Sequence, residues 1–258
     1  MTQTQEDKMI QPVVLYSSNH NILKTKTKLS DVQNDRGDLE KLIVDMKDTL
    51  ESIGGLGLAA NQIGRNESVC IVNLDGNIVT LVNPTITKRD GDKKISVEGC
   101  LSLPDISAKV ERDEKISVTF TNPDNDWSQE EIQVEFPNSV IIQHEVDHLN
   151  GKLMIDDLSP MQRNLISTKL KKVARGNADI NYVGMVWRDS IKSWSLVGPF
   201  HKLYEFYNYH SNANSFSTNG EVDGSITEGE IIINEEEGTE AQENTSGQIT
   251  EHQISQNA

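Results

Sequence analysis

His144-Glu145-Val146-Asp147-His148 sets two imidazoles four residues apart, with a carboxylate directly after the first. On a helix, residues i and i+4 share one face, so both rings can grip one metal ion. Glu145 sits about 100° further round that helix, near the ion without having to ligate it. It could take a proton from a metal-activated water and pass it on. A catalytic metal site uses three protein ligands and keeps one position open. Cys100, within Glu98-Gly99-Cys100-Leu101-Ser102, is the best third candidate, because a thiolate suits a borderline or soft divalent ion. Cys100, His144 and His148 then give a catalytic set, not a closed structural one. Asp147 reads as a residue that orients a ring or caps a neighbour. The plainer alternative is a chance pattern on an ordinary helix beside a buried, inert cysteine. Spacing alone does not bring Cys100 to the histidines.

Further polar groups cluster around this set in sequence. Gly54-Gly55-Leu56-Gly57-Leu58-Ala59-Ala60 is too rich in glycine for a helix. Close approach of its backbone to another group is its natural use. Gln62 follows, and its amide could donate to an oxyanion together with a backbone N–H near Cys100. Its alternative role is a polar cap on the next turn. Glu98 could hold an active-site group, with Arg112 as its candidate partner.

The elements that must position these residues alternate between strands and helices. Residues 37–52 carry Leu39, Leu42, Ile43, Met46 and Leu50 on one face, which predicts an amphipathic helix. A short strand is expected around Val13–Tyr16 in an otherwise loop-rich lead-in. Strands are expected at 68–73, 78–82, 115–120 and 131–136, the first two joined by an Asp75-Gly76 turn. Pro137 opens a helix to about Leu149, ended by Asn150-Gly151. Ser159, Pro160 and Gln162 form a capping signature for a last helix reaching about Arg175. Residues 176–210 hold Trp187, Trp194, Tyr182, Tyr204, Tyr207 and Tyr209, a density that argues for packing. The pattern selects no single role among an accessory lobe, a folded-over arm and a partner surface. Residues 211–258 carry ten acidic side chains and no Lys or Arg. Such a segment buries too little apolar surface to offset chain ordering and reads as disordered, with Ile231-Ile232-Ile233 its one docking signal.

The net charge of −16 disfavours non-specific binding to nucleic acid or to anionic membranes. No stretch approaches the ~20 apolar residues of a membrane span, and no signal peptide is expected at the start. Two cysteines, one of them in the apolar run Ser68–Val72, fit a reducing cytoplasm better than a disulfide that would consume Cys100.

Three segments together resemble the peptide deformylase family: Gly55-Leu56-Gly57-Leu58-Ala59-Ala60-Asn61-Gln62, Glu98-Gly99-Cys100-Leu101-Ser102, and His144-Glu145-Val146-Asp147-His148-Leu149-Asn150-Gly151. The resemblance spans roughly residues 11–175. It implies an α+β fold, with antiparallel sheets around a central helix that carries the histidines. It also implies removal of the N-formyl group from the N-terminal methionine of nascent polypeptides, with release of formate. Cys100, His144 and His148 would bind one metal ion, Fe(2+) by preference, with Zn(2+) or Ni(2+) as other occupants. Metal-bound hydroxide would attack the formyl carbon. Gln62 and the Leu101 N–H would stabilise the oxyanion, and Glu145 would carry the proton. Leu56, Gly57 and Ile141 would meet the substrate. The expected organisation is a catalytic domain over 1–175, an aromatic-rich extension over 176–210 and the acidic tail. The expected state is a cytoplasmic monomer with transient ribosome association and no nucleic-acid site. Two departures stand out. Ser107 occupies a position where many bacterial members carry arginine, and the lead-in reads Asn21-Ile22-Leu23-Lys24 in place of an arginine-containing phrase. A peptidase cutting internal bonds would share the histidine motif, but its third ligand is usually a downstream His or Glu. A catalytically weak binding module acting through 176–210 is the alternative from another class.

Overall fold

The computed structural model describes residues 9–203, 205 and 206, and the backbone of residues 231–233. Its central feature is a five-stranded antiparallel sheet, β2 (Gly57–Ala59), β3 (Val69–Leu74), β4 (Asn77–Gly99), β5 (Ser107–Asn122) and β6 (Ser128–Glu135), in sequential order. Period-2 alternation along β3 explains how this sheet is sandwiched. Val69 and Ile71 face helix α1 (Arg36–Ile53), packing with Leu39, Leu42, Ile43, Met46 and Leu50. Cys70 and Val72 face the other way, toward Ile142, Val146 and Leu149 of helix α2 (Asn138–Leu149). Both faces of β3 are covered, so its first four residues are buried. Burying one such aliphatic side chain contributes on the order of 1.5–3 kcal/mol.

Helix α2 is also fixed along its length by polar contacts to β5. Ser139 Oγ donates to the Asp113 carbonyl at 3.0 Å, and Gln143 Nε2 donates to the same oxygen at 2.9 Å. The Asp113 N–H donates back to Gln143 Oε1 at 2.9 Å. After α2, Gly151 takes φ +72° and lies so close to the Lys24 carbonyl that any Cβ there would clash. Helix α3 (Pro160–Ala174) starts as its sequence predicts, with Ser159 and Gln162 forming the capping box.

A second sheet has the order β1 (Val13–Val14), β7 (Gly184–Arg188), β8 (Ser193–Gly198) and β9 (Ile231–Ile233). It is mixed: β1–β7 and β8–β9 are parallel, while β7–β8 is an antiparallel hairpin. Val186, Trp194 and Val197 share one hydrophobic cluster with Val14, Leu15, Leu103, Ile155 and Val173. The tryptophans and Tyr182 of the extension therefore pack against the same body that carries the metal-site motifs. Of the acidic tail read as disordered, all but residues 231–233 lie outside the described residues.

Two strands run much further than their sequence pattern. The strand expected at 78–82 extends to Gly99, and the one expected at 115–120 starts at Ser107. Around the far end of this hairpin the apolar alternation lapses into Lys88, Arg89, Asp90, Asp92, Lys93 and Lys94. Pairing with β5 and ion pairs such as Lys94–Glu114, at 3.2 Å, supply what hydrophobic patterning does not. The extension of β4 matters to function because its last residue, Gly99, hands the chain directly to Cys100.

Candidate active site

Helix α2 presents His144 and His148 one turn apart, and the end of β4 delivers Cys100 against them. The ligand atoms of the three residues all lie within 4.8 Å of one another. Cys100 Sγ is 3.2 Å from His148 Nε2. His144 Nδ1 is 2.9 Å from Glu98 Oε2, which leaves its Nε2 for the ion. Glu98 is itself gripped by Arg112, through Nε to Oε1 at 2.7 Å and the terminal nitrogen to Oε2 at 2.8 Å. Arg112 also reaches Asp147 at 2.5 Å. A chain Asp147–Arg112–Glu98–His144 thus aims the first imidazole, and the Glu98–Arg112 pairing considered from sequence is present. Cys70 and Cys100 are both free thiols.

The charge balance follows from burial and these contacts. Desolvation pushes the Glu98 carboxyl up, but Arg112 and His144 outweigh it and hold it at about 2. Burial, reinforced by the charges of His144 and Arg112, pushes His148 well below the usual histidine range, toward the neutral form a metal needs. Glu145 is 4 % exposed, and desolvation raises it to about 7 against the opposing pull of His144. A carboxyl near neutrality can both accept and return a proton. Its Oε2 is buried and has no partner among the described residues.

The glycine-rich segment folds against these groups as edge strand β2 and a short 3-10 turn, Ala60–Ile63. Asn61 Nδ2 donates to the His148 carbonyl at 2.6 Å, tying this turn to α2. Gln62 caps its own turn and also turns its amide toward the metal-ligand set. Its Oε1 accepts from the Ala59 N–H at 2.9 Å, while its Nε2 faces Cys100 Sγ at 3.7 Å and Ser102 Oγ at 3.4 Å. Gly57 lies directly over the Glu145 carboxyl, in a space no Cβ could share.

A cleft of about 1000 Å³ opens over this centre. Leu56, Gly57, Gln62, Cys100, Leu101, Ile141, His144 and Glu145 all line it, and His148 lies beneath as a buried ligand. No Lys or Arg is among its lining residues, and Ser107, exposed and paired with Gly99, adds none. Asp179, Ile180, Asn181 and Tyr182 also line the cleft. Sequence reasoning gave these four no functional role. Their only signal was the aromatic density of the extension, which does not say where that segment lies.

The polypeptide deformylase family matches residues 10–164. The chain belongs to that family. It is 37% identical over 137 residues to the peptide deformylase of Thermotoga maritima, covering 53% of this chain and 82% of that one. Among solved structures, a peptide deformylase from Legionella pneumophila superposes with a TM-score of 0.58 at 34% identity, over 64% of this chain and 96% of that one. One from Synechococcus elongatus in complex with actinonin gives 0.56 at 29% identity, over 64% and 90%. Family membership and the Cys100–His144–His148 set together make the chain a metal-dependent deformylase. The matched region ends before α3 is complete, so Asp179–Tyr182 bring to the cleft a wall from beyond it.

Proposed function

We propose that the chain hydrolyses the formamide at the N-terminal methionine of nascent polypeptides, releasing formate, with one iron(II) ion held by Cys100, His144 and His148. The observation that carries this reading is the convergence of three ligand atoms within 4.8 Å beside a buried carboxyl with an unpartnered oxygen. A thiolate with two neutral imidazoles suits iron(II), zinc or nickel and leaves one position open. The ion, when bound, supplies Lewis acidity and lowers the pKa of its water toward neutrality.

The protein's own groups do the rest. Glu145 accepts the proton of the attacking water and returns it to the departing amine, from a buried carboxyl whose Oε2 has no partner among the described residues. Gln62 Nε2 and the Leu101 N–H face the carbonyl oxygen as charge develops on it. Strand β2 is the outer strand of its sheet, so the backbone at Gly57 has a free edge for the peptide to pair with. Leu56 and Ile141 give the cleft apolar wall for a methionine side chain. Crowding at Gly57 and Glu145 favours the small formyl group over acetyl.

Formate release from formyl-Met-Ala-Ser, set against acetate release from acetyl-Met-Ala-Ser, tests this reading. Rapid turnover of the first alone is expected. Equal turnover of both, or cleavage inside the peptide, would rule it out.

A further inference from the structure

We propose that Tyr182 is a positioning residue for deformylation, acting through Leu101 from a segment beyond the family-matching region. The inference rests on the reading of the Leu101 N–H as an oxyanion donor.

Leu101 lies between two peptide planes, the first held by a local turn and the second by a distant residue. The Cys100 carbonyl accepts the Leu103 N–H at 2.9 Å. In a planar trans peptide the N–H points opposite to the C=O, so this turn sends the Leu101 N–H the other way. The second plane is held by Tyr182, whose hydroxyl donates to the Leu101 carbonyl at 2.5 Å. One residue on, the Ser102 carbonyl accepts the Tyr16 N–H at 2.9 Å. Without the phenol, the Leu101–Ser102 plane loses the bond to its own carbonyl while the planes on either side stay tied, and rotation about Leu101 can pull its N–H out of line with the reacting oxygen.

The phenol is itself rigidly placed. Tyr182 precedes β7 by two residues, and the Val13 N–H donates to the Val183 carbonyl at 2.9 Å beside it. Ile180, on its other side, is buried in the cluster that holds Leu103 and Val197. The ring packs against that cluster while the residue lines the cleft. Tyr182 need not touch the substrate; it fixes the backbone that does. Misplacing a donor by about 1 Å can cost up to ~100-fold in rate, so one hydroxyl at this point has leverage.

The test uses the full chain loaded anaerobically with iron(II), comparing wild type, Tyr182→Phe and Val197→Ala. Val197 is buried in the same cluster and is not among the residues that line the cleft, so it reports loss of packing. The phenylalanine keeps the ring and its packing and removes only the donor. For Tyr182→Phe, kcat on formyl-Met-Ala-Ser should fall about 5- to 20-fold. KM, iron stoichiometry and inhibition by the product Met-Ala-Ser should stay within about twofold. Val197→Ala should keep the wild-type kcat. A Tyr182→Phe kcat equal to wild type would overturn the proposal. So would a kcat loss in both variants that tracks their loss of thermal stability, because packing would then suffice. Absence of formate release by the wild type would instead strike the proposed function, and this inference with it.

Discussion

Gly57 and Glu145 are packed so closely that a Cβ on residue 57 would lie 2.8 Å from the Glu145 Cδ and Cγ atoms. The glycine is required by its neighbour and not by its own backbone angles: it sits in an extended strand paired with Val72. Gly57→Ala should therefore fold and bind metal but push the Glu145 carboxyl out of line, lowering kcat about 100-fold. Full activity in the alanine variant would show that the carboxyl has room to move without consequence.

Glu98 holds His144 and neutralises Arg112 in one buried cluster. Glu98→Ala should weaken metal affinity about 10- to 100-fold, because the imidazole loses its orienting partner. It should also cost roughly 3–5 kcal/mol of stability, since Arg112 keeps only the partly exposed Asp147. Competition with a chelator measures the first effect and urea unfolding the second. An unchanged metal affinity would mean that the helix alone aims His144.

Asp113 gives a pH signature away from the metal. Desolvation pushes its carboxyl up, but hydrogen bonds from Lys93 and Arg89 prevail and hold it below the usual carboxylate range. A depressed folded-state pKa adds stability that is present above the unfolded value of ~3.9 and lost as the pH falls through the lower folded value. Wild type should exceed Asp113→Asn in urea midpoint at pH 6, with the gap closing below about pH 4. The gap should shrink in high salt, because Lys93 and Arg89 are half exposed. A gap that persists at pH 3 would assign the effect to the amide substitution itself.

How much of this was legible in the sequence depended on the range of the interaction. The apolar face of α1, the capping box of α3 and the his–glu spacing on α2 are local patterns, and each element lies where its pattern set it. The length of β4 was not legible, because residues 88–94 are charged and their strand pairing is a long-range fact. The chemistry of Cys100 makes it a candidate ligand, yet its approach to His148 depends on the β4–β5 hairpin that ends beside it. Tyr182 was one tyrosine among several. The parallel pairing of β7 with Val13–Val14 and the packing of its cluster carry it to Leu101, 81 residues back along the chain.

The central claim is that Glu145 moves the proton for a metal held by Cys100, His144 and His148. It is tested most directly by formate release from formyl-Met-Ala-Ser in protein prepared anaerobically with iron(II), comparing wild type with Glu145→Ala. The account predicts one iron per chain in both and a kcat lower by about 100- to 10,000-fold in the variant. Substantial turnover by Glu145→Ala at full iron occupancy would contradict it.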